Sequence, residues 1–453
     1  MKLKELFLNN PARISVIGYI LFILFGTFLL MLPISVAGDS IGFVNALFTA
    51  TSAVSVTGLT VVDTGSFFTI FGQVVILILI QVGGLGIMTL STMFMVMAGI
   101  RPGMTSRTAV QYSFNLDGMI DFKSIIRDVI LFTFTIEGVG VVLLIFYFLP
   151  ERSFTEALFY SVFHVVSAFC NAGFALFSDS FIKYQGIWGF NIIICILIIL
   201  GGIGFFVLSE LRRKRPMSRR SLSRLSLHSK IVLSVTSILI ISGTLLITAM
   251  EWDNTLSILR LPERFLAGLF QAVTTRTAGF NTLPIGGMVN EALFFMILLM
   301  FIGASPGSTG GGIKTSTAAC LFSLGFSRLK GFEKPRIFNR SISQESVGRA
   351  LSVTMMSMLV VVIGAMLMLI SESGGGSTPL NREGFIGIFF EVVSAFGTVG
   401  LSTGITAMLS AAGKLVIIAV MFIGRLGPLV VAMAVSRASA PGYYYAEENI
   451  MIG

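Results

Sequence analysis

Hydrophobic residues make up 55% of the 453-residue chain and charged residues only 12%, which excludes an ordinary water-soluble globule, where about 45–50% is apolar and about a quarter charged. The chain reads as an integral membrane protein. The formal charge of +9 is split among loops between apolar runs without interleaved aromatics, so topology explains it better than a nucleic-acid surface. Cys170, Cys195 and Cys320 are odd in number, scattered and set in apolar segments, so neither a disulfide framework nor a metal knuckle is indicated.

In chain order, eight apolar runs come near the roughly 20 residues that a helix needs to cross hydrocarbon: 14–36, 71–98, 129–149, 188–208, 231–249, 292–320, 351–370 and 415–435. The first follows Lys2, Lys4 and Arg13 and has no small-residue cleavage site behind it, so it is expected to be retained rather than removed as a signal. Within each pair of runs lies a shorter, less apolar stretch, 43–54, 154–169, 262–274 and 384–396. Each is too short to cross and suits a half-helix that enters the bilayer and returns.

Every one of these stretches ends on a variant of one phrase. The clearest copies are Val165-Val166-Ser167-Ala168-Phe169-Cys170-Asn171-Ala172-Gly173-Phe174 and Val392-Val393-Ser394-Ala395-Phe396-Gly397-Thr398-Val399-Gly400-Leu401; the looser ones are Ser52-Ala53-Val54-Ser55-Val56-Thr57-Gly58-Leu59 and Val273-Thr274-Thr275-Arg276-Thr277-Ala278-Gly279-Phe280. The glycines are 115, 106 and 121 residues apart, the mark of four tandem units. The expected architecture is all-α: eight transmembrane helices with four re-entrant pore helices, built as four repeats of helix, pore helix and helix in pseudo-fourfold order around one pore. The repeats are assigned to 14–100, 126–211, 229–325 (its second helix interrupted at 303–312) and 349–437, with a cytoplasmic N-terminus at 1–13 and a cytoplasmic tail at 438–453.

Basic residues near span ends report which side a loop occupies. On one side lie 22 of the 31, including Arg101, Arg107, the cluster Arg212-Arg213-Lys214-Arg215, Arg219, Arg220, Arg328, Lys330, Lys334, Arg336 and Arg437. Both termini are therefore expected in the cytoplasm, with some contact between the basic loops and anionic membrane lipid. The re-entrant stretches then approach from outside.

An ion leaving water needs its hydration oxygens replaced, and backbone carbonyls do this without a formal charge that would trap it. Carbonyls aligned that way need a residue free of Cβ constraint, which glycine supplies, and irregular backbone at membrane depth is tolerated only where it is buried or lines water. Half-helices aiming their partially negative C-terminal ends at such a centre favour a cation. Glycines that merely let helices pack closely are the competing reading, weaker for four copies in register than for one.

These phrases, with their order of span, pore helix, glycine loop and span, resemble the Trk/Ktr/HKT superfamily of K⁺ transporters over nearly the whole chain, and most of all its KtrB-type subunits. The resemblance implies a selectivity filter at Gly58, Gly173, Gly279 and Gly400 together with the residues just before them: Thr57; Asn171 and Ala172; Thr277 and Ala278; Thr398 and Val399. Relatives with serine at the first glycine tend to admit Na⁺, and Gly58 therefore favours K⁺ as the transported ion; a Na⁺-selective or Na⁺-coupled carrier is the alternative. The resemblance also implies a homodimer in the bacterial plasma membrane, a KtrA-like cytoplasmic nucleotide-binding ring, Na⁺ as an activating ion, and no nucleotide on this chain itself. Only Thr398-Val399-Gly400 approaches the TVGYG of classical K⁺ channels, so weaker discrimination between K⁺ and Na⁺ is expected.

The sixth run contains Gly303, Ala304, Ser305, Pro306, Gly307, Ser308, Thr309, Gly310, Gly311 and Gly312 in succession. Interior glycine costs a helix about 1 kcal/mol and proline about 3, so the span should break, and by resemblance the break is the family's intramembrane gate loop. Gly307, Gly312 and Lys314-Thr315 imitate a phosphate loop, but Ile313 separates glycine from lysine and no strand precedes them. Lys314 and Arg425 are cations inside apolar runs, functional candidates because insertion costs about 2.5–3.5 kcal/mol each; Arg425 is expected to hold unwound carbonyls of the loop. Gly83-Gly84-Leu85-Gly86 and Gly201-Gly202-Ile203-Gly204 are assigned to helix packing. Glu137 needs a partner, and His164 reads as a satisfied buried group. A membrane enzyme is disfavoured, since His164 and His228 lie far apart with no nucleophile or carboxylate constellation beside them.

Overall fold

The computed structural model describes residues 11–86, 122–214, 224–373 and 382–435. The residues 1–10, the second part of the run 71–98, the tail 438–453, and Arg101, Arg107, Arg215, Arg219, Arg220 and Arg437 lie outside the described residues.

The regular structure of the described residues is helical apart from one short hairpin. Its helices are α1 (Pro11–Leu30), α2 (Phe43–Val54), α3 (Ile70–Leu85), α4 (Phe122–Phe148), α5 (Phe154–Phe169), α6 (Trp188–Ile203), α7 (Phe205–Lys214), α8 (Leu227–Met250), α9 (Leu261–Thr274), α10 (Asn290–Phe301) and α11 (Thr315–Leu329). A two-residue hairpin, β1 (Arg336–Ile337) with β2 (Arg340–Ser341), precedes α12 (Gln344–Ser373), α13 (Arg382–Gly397), α14 (Ala411–Leu426) and α15 (Pro428–Val435). Local chemistry sets several starts. Ser153 and Glu156 form a reciprocal cap on α5, and the Thr69 and Ser410 hydroxyls accept the Gly72 and Gly413 amides that open α3 and α14 (3.3 and 3.0 Å).

Among the described residues four helices are long and apolar enough to cross a membrane, Ala12–Leu30, Arg127–Phe148, Leu227–Met250 and Gln344–Glu372, or six if each of two bent pairs is one span. Many of their exposed residues are large and apolar, among them Leu21, Phe134, Ile238 and Met366, as hydrocarbon contact requires. The short helices α2, α5, α9 and α13 match the stretches read as half-helices to within two residues at either end, and their last turns are buried.

The second runs differ from the continuous spans that their hydropathy suggested. Run 188–208 breaks at Gly204 and bends by 99°, and run 415–435 breaks at Gly427 and bends by 95°; α3 likewise ends on Gly86. Gly204 and Gly427 have φ of +99° and +87°, a region that other residues enter only at a cost, so one glycine in an apolar run ends a helix without any fall in hydropathy.

Packing follows a circuit. Each second helix lies against the short helix of the next unit: α3 on α5, α6 on α9, α10 on α13, and α14 back on α2. The interior thus reached carries hydroxyls, with Ser52, Thr57, Ser167, Thr277, Ser394 and Thr398 all fully buried, while the exterior exposes leucine, isoleucine, phenylalanine and methionine.

Candidate permeation pathway

After each short helix the chain makes the same two-step turn. The residue two before the glycine is left-handed, at Val56 (φ +57°), Asn171 (+60°), Thr277 (+74°) and Thr398 (+50°), and so is the glycine, at Gly58 (+92°), Gly173 (+70°), Gly279 (+83°) and Gly400 (+90°). A left-handed non-glycine residue costs roughly 1–2 kcal/mol, so four in register need support from their surroundings. Hydroxyls provide it: Ser52 and Ser394 accept the Gly58 and Gly400 amides (both 3.1 Å), while Ser167 and Thr274 donate to the Phe174 and Phe280 carbonyls (2.8 and 2.6 Å). Val56 was not singled out in the sequence, although its position two before Gly58 matches Asn171, Thr277 and Thr398.

The four turns meet. A Cβ built on Gly58 would strike the Ala172 carbonyl and lie 3.0 Å from the Gly173 Cα; on Gly173 it would meet the Ala278 carbonyl (2.8 Å) and the Gly279 Cα (2.9 Å). On Gly279 it would strike the Val399 carbonyl and approach the Gly400 Cα (3.2 Å), and on Gly400 it would strike the Thr57 carbonyl and approach the Gly58 Cα (2.9 Å). The sequence-derived residues Thr57, Gly58, Ala172, Gly173, Ala278, Gly279, Val399 and Gly400 therefore form one closed circuit in chain order.

Residues 303–312 join α10 to α11 as an irregular buried loop pressed against that circuit. Ile302 and Ile313 pair as its neck, Ala304 donates to the Gly311 carbonyl (3.3 Å) and Ser308 to the Ser305 carbonyl (2.6 Å), and Gly307 and Gly312 are left-handed (both +68°). The Gly311 amide donates to the Thr398 hydroxyl (2.9 Å), and a methyl on Gly310 would run into Thr277. On the other flank the Thr277 hydroxyl donates to the Asn171 carboxamide oxygen (3.1 Å), whose nitrogen donates to the Ala168 and Ile198 carbonyls (3.0 and 3.2 Å).

The break in α6 and the loop complete each other. The Ser305 and Thr309 amides donate to the Gly202 and Gly201 carbonyls (3.0 and 3.2 Å), Phe205 donates to the Gly307 carbonyl (3.0 Å), and a Cβ on Gly204 would lie 2.6 Å from the Pro306 carbonyl. Packing alone, the role read for Gly201-Gly202-Ile203-Gly204, is thus half of what they do. Gly201 does admit the Phe169 carbonyl closely, as Gly83 admits that of Val54, but the carbonyls freed by the break also carry the loop.

Arg425, at the end of α14, donates to the Thr309 carbonyl and, across the molecule, to the Gly83 carbonyl, with Gly84 at 3.5 Å. It thus joins one carbonyl of the loop to the last turn of α3. Lys314 donates to the Gly310 carbonyl (2.8 Å). Glu137 finds Gln81 (3.5 Å), which accepts from the Cys170 thiol (3.7 Å). His164 is satisfied at both nitrogens, Nδ1 with the Tyr160 carbonyl (2.7 Å) and Nε2 accepting from the Leu176 amide (3.1 Å). Glu391, which the sequence did not single out, accepts from Ser402 and from Thr406 (2.9 Å) and ties the stretch after Gly400 to α13.

Residues 5–441 match the family described as TrkH, cation transport protein. The chain belongs to the TrkH family. Potassium uptake protein B of the Ktr system from Bacillus subtilis is 39% identical over 446 residues, covering 98% of this chain and 97% of that one, and the protein of the same name from Vibrio alginolyticus is 36% identical over 98% and 95%. The potassium/sodium uptake protein NtpJ of Enterococcus hirae is 37% identical over 98% and 97%. The crystal structure of the potassium transporter TrkH from Vibrio parahaemolyticus shares the fold, with a TM-score of 0.72 at 19% identity over 93% of this chain and 85% of that one. As a TrkH-family member the chain is an integral membrane cation transporter and not an enzyme.

Proposed function

We propose that this TrkH-family chain is the pore-forming subunit of a Ktr-type system that takes up K⁺ across the bacterial plasma membrane. Its filter is formed by the phrases ending at Gly58, Gly173, Gly279 and Gly400, and its gate by residues 303–312 with Lys314 and Arg425. The observation that carries the reading is the closed circuit of four glycines and the carbonyls of Thr57, Ala172, Ala278 and Val399, because oxygens gathered from four sides can replace an ion's water. The loop is in place to obstruct passage, being hydrogen-bonded to Thr398 and abutting Thr277 on one side of that circuit.

The same reading takes the repeats as 14–100, 126–211, 229–325 and 349–437, each a span, a re-entrant helix and a second span, with both termini cytoplasmic. Net uptake then draws on the membrane potential, worth about 2.3 kcal/mol per charge per 100 mV. Relatives named as part of a Ktr system support a regulatory partner, here taken as a nucleotide-binding ring docked on a homodimer. A relative named for potassium and sodium supports a second reading in which Na⁺ is also carried or activates transport.

Rb⁺ and Na⁺ uptake into liposomes, with wild type and Gly58→Ser, tests the reading. Wild type should favour Rb⁺, and Gly58→Ser should narrow the ratio and rescue K⁺-limited growth of an uptake-deficient strain less well. Equal ratios and equal rescue would remove the filter assignment.

A further inference from the structure

A groove of about 450 Å³ opens between α8, α11 and the β1–β2 hairpin, on the side of the molecule that carries the basic loops. One wall is the apolar face Ile231, Val235 and Ile238 of α8; the other is Phe322 and Phe326 of α11. The α11 face is open to its surroundings, with Phe322 69%, Phe326 65% and Leu329 87% exposed. Apolar exposure of this extent along one helix face marks a surface that another apolar body covers.

The polar groups of the groove are unequal. Ser323 donates to the Arg336 carbonyl (3.1 Å) and Ser327 accepts the Arg336 amide (3.3 Å), so both hydroxyls are spent on holding the hairpin. Lys330 and Arg336 are exposed and rest over the Phe326 and Phe332 rings (5.7 and 4.5 Å to the centroids). Among the described residues neither is ion-paired with a carboxylate, whereas Asp128, Glu210 and Glu345 of the same side are engaged by Arg213, Lys214 and Arg349. An apolar slot at the end of a membrane span with two unneutralised cations at its mouth matches a ligand with a hydrocarbon chain and an anionic phosphate, to which a guanidinium offers a two-toothed fork.

We infer that this groove is a binding site for an anionic phospholipid of the cytoplasmic leaflet, its phosphate on Lys330 and Arg336 and an acyl chain between α8 and α11. A second copy of the chain fits less well, since Asp128, Glu210 and Glu345 are already engaged and Glu333, exposed in the same loop, is the one carboxylate beside the two cations in the sequence. The occupant would lie along the helix that carries one leg of the loop, where the Thr315 hydroxyl bonds that of Ser305 (3.0 Å). The inference uses the membrane orientation given under the proposed function, but not its filter or its ion.

Native mass spectrometry of the delipidated full chain in detergent, titrated with phosphatidylglycerol or phosphatidylcholine of matched acyl chains, tests it. Wild type should prefer phosphatidylglycerol, and the double variant Lys330→Gln, Arg336→Gln should lose roughly tenfold to thirtyfold of that preference. Val235→Trp, which fills the groove, should lower binding of both lipids while the variant stays monodisperse. Equal affinity of wild type for the two lipids, or an unchanged preference in the double variant, overturns the site. So does efficient disulfide crosslinking of Phe326→Cys between two copies in membranes, which would make the groove a protein interface. Because bound mass rather than ion flux is read, the outcome is independent of whether the chain carries K⁺.

Discussion

The glycine circuit and the loop at 303–312 are both irregular backbone buried in an apolar molecule, yet they are built in opposite ways. The circuit is written four times: each copy has the same left-handed pair, and each glycine abuts a carbonyl of the next unit. Among the described residues the loop occurs once, between α10 and α11, and is held by groups borrowed from elsewhere: Gly201 and Gly202 of α6, Thr398 after α13 and Arg425 of α14. Fourfold repetition suits a part that must surround an ion evenly. A single element tethered by a few separable bonds suits one that must move. The difference predicts that damage to the circuit lowers transport or its selectivity, whereas damage to the tethers releases it.

The largest effect is expected from Gly400→Ala. Its methyl would collide with the Thr57 carbonyl, a backbone atom that cannot step aside, and the conformation at φ +90° adds about 1–2 kcal/mol. Rb⁺ uptake into liposomes should fall to background in protein that still purifies as a single species; wild-type uptake would break the comparison on the circuit side. Next is Arg425→Ala, which removes donors to the Thr309 and Gly83 carbonyls, each bond worth about 1.5–3 kcal/mol. Flux at fixed voltage should rise, and unchanged flux in a normally folded variant would rule out Arg425 as part of the barrier. Thr398→Val, which leaves the Gly311 amide without its acceptor at a cost of about 1–3 kcal/mol, should raise flux in the same direction but less, and a fall would place Thr398 with the circuit. The smallest effect belongs to Gly427→Ala. A Cβ there meets nothing within 4 Å, so only the φ of +87° is penalised, and the melting temperature should drop slightly with uptake preserved.

The repeat was legible because it is local: a phrase of about ten residues with a glycine at a fixed place survives in the sequence whatever surrounds it. Short helices were legible for a related reason, since each ends on that phrase. The bends at Gly204 and Gly427 were not, because glycine barely changes hydropathy and its backbone angle is set by what it faces, the Pro306 carbonyl in the case of Gly204. Arg425 stood out as a lone cation in an apolar run, but its partner Gly83 is more than three hundred residues away and is a main-chain oxygen, a pairing that no residue type announces. Glu391 was hidden differently: its partners Ser402 and Thr406 are common residues, and only the fold brings them under it.

Anomalous diffraction from crystals grown in K⁺ and soaked in thallous ion tests the central claim most directly. A peak on the axis enclosed by Gly58, Gly173, Gly279 and Gly400, within coordination distance of the Thr57, Ala172, Ala278 and Val399 carbonyls, is the expected result. Ordered thallium elsewhere in the membrane region, with that axis empty, would contradict it.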